Sequence, residues 1–289
     1  SEERMFRVGQ LHYTASVPLG KIPVYQEMED SPYVQAPYLG TYYYLLNTEV
    51  PPTDNLKVRQ ALSLAVDRDS LSKNVLKGTV IGAYSITPPD TLGYFPPKLF
   101  DYDPERARQL LAEAGYPNGE GWPGLELTYN TSEDHRKIAV ALQQMWKDVL
   151  NIEVALINQE WKVYLDSITQ MNFQIARRGW IGDYVDPNNF LDLFLTGGGN
   201  NNTGFADPRY DELVLRKAPQ ATTKAERFAV FEEAETLLME QMPIIPVFTY
   251  TSKHLVQPSV RGLPSNLMDS INMKYVWLEQ DQPAAEASD

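Results

Sequence analysis

The chain has 289 residues, with 25 Lys and Arg against 38 Asp and Glu, for a formal net charge of −13. That balance opposes nucleic acid as a partner, because phosphate binding needs clustered cationic side chains. Cysteine is absent, so disulfides, thiolate metal sites and a cysteine nucleophile are excluded.

A composition of 43% hydrophobic and 22% charged residues is that of a globular chain. Its length allows one large domain or two modest ones. No apolar run approaches the roughly 18 residues needed to span a bilayer, and no signal peptide is visible. The first residue, Ser1, reads as the start of a processed or truncated product.

From Met5 to Tyr13 the residues alternate loosely, the pattern of a strand. Pro18, Pro23, Pro32 and Pro37 then predict an extended crossing segment rather than a helix. Gly40 and Thr41 lead into Tyr42-Tyr-Tyr-Leu-Leu46, a strong strand signal. Val58, Ala61, Leu62, Ala65 and Val66 recur at helical spacing. Asp103-Pro104-Glu105 is an N-cap, a first-position proline and a first-turn acid, opening a helix that ends at Gly115 with Pro117 beyond.

Strands are predicted over 125–129, 152–157 and 173–176, with helices between them. Two successive βαβ units follow, and hence a mixed α/β sheet. Ser132 is the expected N-cap of the first of these helices, which places His135 just inside it, and Trp161 opens the second. The Gly197-Gly-Gly-Asn-Asn-Asn202 run reads as a flexible loop, and Asp207-Pro208 as another helix start. Thr223 with Glu226 makes a capping box before Phe228, Phe231, Leu237 and Leu238. A strand over 244–250 precedes the tail 282–289, expected to fray.

The segment that carries chemistry is Phe173-Gln-Ile-Ala-Arg-Arg-Gly-Trp-Ile-Gly-Asp-Tyr-Val-Asp-Pro187. Arg177 and Asp183 sit six residues apart on one strand-to-loop element walled by Trp180 and Tyr184, so they could hold the two ends of a zwitterion such as a free peptide. The alternative is an internal Arg–Asp ion pair of structural value only. His135, near a helix N-terminus, could add a donor for an anion, although a lone histidine near a cap is usually incidental. Asp183 and Asp186 lack the further oxygen ligands of an ordered calcium loop. The three histidines are scattered without metal spacing, and no hydrolase, nucleotide or zinc-protease motif is present. A carboxylate pair for glycoside chemistry is not singled out by any residues.

Six segments taken together carry a resemblance. They are Asn55-Leu-Lys-Val-Arg-Gln-Ala-Leu-Ser-Leu-Ala-Val-Asp-Arg-Asp69, Thr87-Pro-Pro89, residues 105–115, Tyr129-Asn-Thr-Ser-Glu-Asp-His135, Asn158-Gln-Glu-Trp161 and Ala176-Arg-Arg-Gly-Trp-Ile-Gly-Asp-Tyr184. In this order and separation, from about Met5 to about Glu279, the chain resembles the periplasmic oligopeptide-binding proteins, the extracellular solute-binding proteins of peptide ABC importers (peptide/nickel family).

The resemblance implies an α/β fold: the mixed-sheet lobe of a two-lobed type II periplasmic-binding protein, with the N-terminal half missing. It implies that 1–34 and 251–289 belong to the other lobe and that 35–250 is the ligand-gripping lobe. It also implies a non-enzymatic receptor with no cofactor and no metal. Such a receptor would be periplasmic, or extracellular and lipid-anchored in the parent protein, and would not itself span the membrane. It would capture short peptides by closing over them and deliver them to ABC permease subunits, with weak binding by this chain alone.

By the same resemblance Asp183 pairs with the peptide ammonium, and Arg177 and His135 receive its carboxylate. Trp161 and Trp180 lie near side-chain pockets, and the backbone of Gly179 and Ile181 bonds the peptide main chain beside Tyr184. A murein-peptide or dipeptide receptor is the alternative within the family, and a carboxylate-dependent hydrolase the alternative outside it.

Overall fold

The tyrosine run lies in strand β1 (Tyr33–Leu46), where every residue from Leu39 to Leu46 except Gly40 and Thr41 is an apolar or aromatic side chain at most 2% exposed. A strand so fully buried must be covered on both faces. Tyr42 meets His135 at a ring separation of 5.6 Å, and Tyr43 meets Phe194 at 6.2 Å from the opposite face. The structure is a computed structural model and describes residues 1–279; the tail 282–289, expected to fray, lies outside the described residues.

The remaining strands are β2 (Ile81–Gly82), β3 (Glu126–Asn130), β4 (Ala155–Gln159), β5 (Ile175–Ile181), β6 (Ile244–Leu255), β7 (Val260–Arg261) and β8 (Trp277–Leu278). Six of the eight described strands form a sheet in the order β2-β6-β1-β5-β3-β4, and β7 pairs with β8. β3, β4 and β5 are parallel, joined by the helices Glu133–Leu150 and Trp161–Thr169 as the two predicted βαβ units. β1 runs antiparallel to β5, which makes the sheet mixed.

Contacts divide the chain into two units, Leu39–Tyr250 and a discontinuous one made of Ser1–Tyr38 with the chain from Thr251 onward. In the larger unit, Trp146 is fully buried and its indole N–H donates to the Leu62 carbonyl at 2.9 Å, tying the helix Glu133–Leu150 to the helix Leu56–Leu64. Arg59 is buried as well. Its guanidinium donates to the carbonyls of Gln241 and Met242 at the C-terminal end of the helix Lys224–Gln241, where a cation complements the helix dipole. In the smaller unit, Phe6, Val17, Ile22, Tyr25 and Leu255 make their own core. No helix of the described residues is long and apolar enough to cross a membrane.

Several expectations need correction. The alternation over Met5–Tyr13 is not a strand: Glu2–Arg7 is a helix that buries Glu3 and Phe6, and only Tyr13 makes a β-bridge, to Val256. The Pro-rich segment is not wholly extended, because Pro23 sits in the first turn of the helix Ile22–Gln26, where its missing N–H costs nothing. Strand β4 starts at Ala155 rather than Ile152; Ile152 and Val154 are buried as lead-in residues outside the ladder. The Gly-rich loop is held in place, since Asn201 donates to the carbonyls of Phe194, Leu195 and Phe205 and accepts from Thr203.

Candidate functional site

β5 is paired along its length on one side only. β1 covers it from Ile175 to Ile181, whereas β3 pairs with it only at Ile175 and Ala176 and then diverges. The carboxyl ends of parallel strands are where open α/β sheets place their crevices. The N–H of Gly182 donates to the Leu39 carbonyl at 2.7 Å, so these two form a hydrogen-bonded pair. Alternation then turns the N–H and C=O of Arg178 and Trp180 toward β1, and those of Arg177, Gly179 and Ile181 toward the open edge. The Arg177 carbonyl on that edge accepts a hydrogen bond from the Tyr164 hydroxyl.

Arg177 stands at one end of the edge. Its Cζ lies 4.7 Å from the centre of the Tyr42 ring, and Nη2 donates to the Tyr250 hydroxyl at 3.0 Å. Its Nε is buried with no partner. None of the ion pairs among the described residues includes it. Burial opposes its charge and the surrounding phenols favour it, with a guanidinium pKa raised on balance. The site is therefore a cation in an aromatic cage, with a free donor and no internal acid.

His135 joins this cage. Its Nδ1 is 3.4 Å from the Tyr42 hydroxyl, and its backbone N–H donates to the capping Ser132 Oγ at 3.5 Å. Burial, and then the Arg177 charge, lower its pKa to about 4. It is thus a neutral imidazole at neutral pH, able to donate but not to add charge.

Asp183 stands just past the other end of β5 and is exposed. Its N–H donates to Asn189 Oδ1 at 3.1 Å, and the same oxygen accepts the Trp180 indole N–H at 2.8 Å. One asparagine therefore fixes both the Asp183 backbone and the neighbouring ring. Asp183 and Arg177 do not form the internal ion pair that the sequence left open. Asp186 is occupied instead, in a bidentate pair with Arg227 at 2.6 and 2.8 Å.

Gly179 lies between the two ends on the Arg177 face. A Cβ there would come 2.5 Å from the Tyr250 hydroxyl and 3.1 Å from Arg177 Nη2, so only glycine lets these groups approach the strand. Ile181 and Tyr184 are 37% and 48% exposed and flank the edge. Trp161 is 51% exposed at the start of its helix and stacks on Tyr164 at 6.1 Å.

The structure thus gathers Arg177, His135 and Gly179 in one cluster, with Ile181, Asp183 and Tyr184 further along the same segment. Trp180 faces the opposite side of the sheet. Tyr42, Tyr164, Tyr250 and Asn189 were not singled out from sequence. The phenols come from three distant segments, and only the in-register pairing of Tyr42 with Gly179 reveals their convergence. Among the described residues no cluster of His, Cys, Asp and Glu could hold a metal ion.

Residues 2–202 match the family described as bacterial extracellular solute-binding proteins, family 5 Middle. The chain is 39% identical over 273 residues to the periplasmic murein peptide-binding protein of Escherichia coli and 36% over 275 residues to the oligopeptide-binding protein of Bacillus subtilis. Each match covers 91% of this chain and 50% of the relative, so the chain spans about half the length of these curated relatives.

Among solved structures, the unliganded open form of a periplasmic murein tripeptide-binding protein superposes with a TM-score of 0.85 at 36% identity, over 96% of this chain and 55% of that one. A Haemophilus influenzae relative in complex with the peptide RPPGFSPFR gives 0.83 at 31%, over 96% and 56%. The mixed sheet, the family match and these identities agree: the chain belongs to the family-5 bacterial extracellular solute-binding proteins.

Proposed function

We propose that this chain supplies the ligand-gripping lobe of the substrate-binding component of an ABC peptide importer. The observation that carries the reading is the open edge of β5, where Gly179 and Ile181 present outward N–H and C=O groups. An exposed carboxylate lies beyond one end of that edge, and a cation without an acidic partner lies at the other. A short peptide adds there as a strand, antiparallel to β5. Asp183 takes its ammonium, while Arg177 and His135 take its carboxylate.

The six steps from 177 to 183 span roughly 20 Å at about 3.3 Å per residue. That length suits three to five extended residues with the reach of an arginine at one end. Main-chain bonding makes such a receptor tolerant of side-chain identity. Trp161, Trp180 and Tyr184 then border the side-chain spaces.

The units suggest how the rest of the protein is organised. The discontinuous smaller unit, 1–38 with 251 onward, belongs to a second lobe, and the larger unit is the gripping lobe. The intact protein is periplasmic or surface-anchored, is not an enzyme, and hands its peptide to membrane permease subunits. This chain alone binds peptide weakly, since one wall of the cleft lies in the other lobe. The murein-peptide reading is supported by the 39% identity to a murein peptide-binding protein, but one scaffold serves several ligands in such families and the likeness alone does not choose.

Calorimetric titration with tri- to pentapeptides tests the proposal, on the chain and on the full-length protein. Asp183→Ala and N-acetylation of the peptide should each weaken binding about tenfold or more. Full affinity retained after both changes, or steady turnover of the peptides, would sink it.

A further inference from the structure

β5 carries a second cation, Arg178, for which the recognition of peptide termini has no use. Side chains alternate along a strand, so Arg178 shares the sheet face of Tyr43, its cross-strand partner, and of Trp180, opposite to that of Arg177. It is half-buried. As with Arg177, no ion pair among the described residues includes it. The groups on which its charge acts are phenols. Its charge acts on Tyr43, its cross-strand partner on β1, and it also bears on Tyr164, whose own hydroxyl sits on the open-edge carbonyl of Arg177. A guanidinium taken partly out of water beside neutral phenols lacks the acid that such a charge ordinarily finds within its own protein.

We propose that Arg178 selects peptides bearing Asp or Glu at the fourth residue, by pairing with that side chain across the strand. The selection presupposes that peptides add to β5 with their ammonium at Asp183. Counting back from that end, the first ligand residue lies opposite Ile181, the second opposite Trp180, the third opposite Gly179 and the fourth opposite Arg178. Directly opposed residues in a ladder project on the same face with Cβ atoms about 5 Å apart. The fourth side chain is therefore the one delivered to Arg178, while the third falls on the face of Arg177. Trp180 and Tyr43 flank the position with aromatic surface and keep water low around the pair.

The test compares Ala-Ala-Ala-Glu-Ala with Ala-Ala-Ala-Gln-Ala by calorimetric titration of the full-length protein, unsubstituted and as R178Q and R178K. The Glu peptide is expected to bind about 3- to 10-fold more tightly to the unsubstituted protein. R178K should keep part of that preference and R178Q should lose it. Because the readout is a ratio within each variant, a general loss of affinity cancels. A third peptide with Lys at the fourth position should bind more weakly than the Gln peptide, an arm that needs no variant to fold. Equal affinities for Glu, Gln and Lys peptides, or a Glu preference that persists in R178Q, overturn the assignment and leave the peptide reading standing. Failure of every peptide to bind, with Asp183→Ala silent, overturns both.

Discussion

Glu235 gives the sharpest test of the electrostatics. It is fully buried on the helix Lys224–Gln241, with no ion pair among the described residues. Its carboxyl accepts the Thr87 N–H at 2.8 Å and the Tyr94 hydroxyl at 2.9 Å. Burial, only partly offset by these hydrogen bonds, lifts its pKa from 4.5 to about 7. The folded value lies above the unfolded one, so the protonated acid is the form the fold prefers. Its contribution is fully present below pH 4.5 and is lost as pH rises through about 7.

Raising the carboxyl from 4.5 to about 7 corresponds to about 3 kcal/mol, or roughly 6–12 °C in Tm for a domain of this size. Glu235→Gln keeps the bond from the Thr87 N–H, reverses the other so that the amide N–H donates to the Tyr94 hydroxyl, and removes the titration. Thermal melts of both proteins from pH 4.5 to 8.5 should show the difference in Tm swinging toward the variant by that amount across pH 5–8. Asp192, whose carboxyl is raised by burial and by Asp183, acts with the same sign in both proteins and cancels. Parallel curves would refute the reasoning, since they would mean that Glu235 is solvated or compensated by a cation.

Gly179→Ala should cost about 1–3 kcal/mol of stability through overpacking against the Tyr250 hydroxyl and lower peptide affinity at least tenfold; chemical denaturation and titration check the two halves separately. Trp146→Ala removes a fully buried indole and the hydrogen bond to Leu62, and about 3–5 kcal/mol should be lost in urea unfolding. His135 titrates below its ordinary 6.5, at about 4, so its neutral form supports the fold above pH 6.5 and that support fades as pH falls through 4. The ring-proton NMR titration of His135 should have its midpoint well below 6, moving up toward 6.5 in Arg177→Gln.

Local chemistry explains why some elements were legible in the sequence. Asp103 before Pro104, Asp207 before Pro208 and the Thr223–Glu226 box each complete their hydrogen bonds within one helical turn, and the structure has all three caps. The helix Glu2–Arg7 was missed because its six residues give too short a window to separate a period of two from 3.6. Ile152 and Val154 drew the strand of β4 too early because burial beside a strand looks like membership of it. At the site, Arg177 and Asp183 share one segment and could be read together. The aromatic cage could not: Tyr42 read as strand core, while Tyr164 and Tyr250 meet Arg177 only through the sheet order. Arg59 and Arg68 were not singled out from sequence, yet both are buried with their guanidinium groups on backbone carbonyls, and burial lowers each pKa to about 10.

The divergence of β3 from β5 leaves the outward N–H groups of Gly179 and Ile181 with no neighbouring strand to pair with, and the proposed peptide would supply one. Amide protons at Gly179 and Ile181 should therefore trade with deuterium quickly when nothing is bound and slow sharply once cargo arrives, whatever residues that cargo contains.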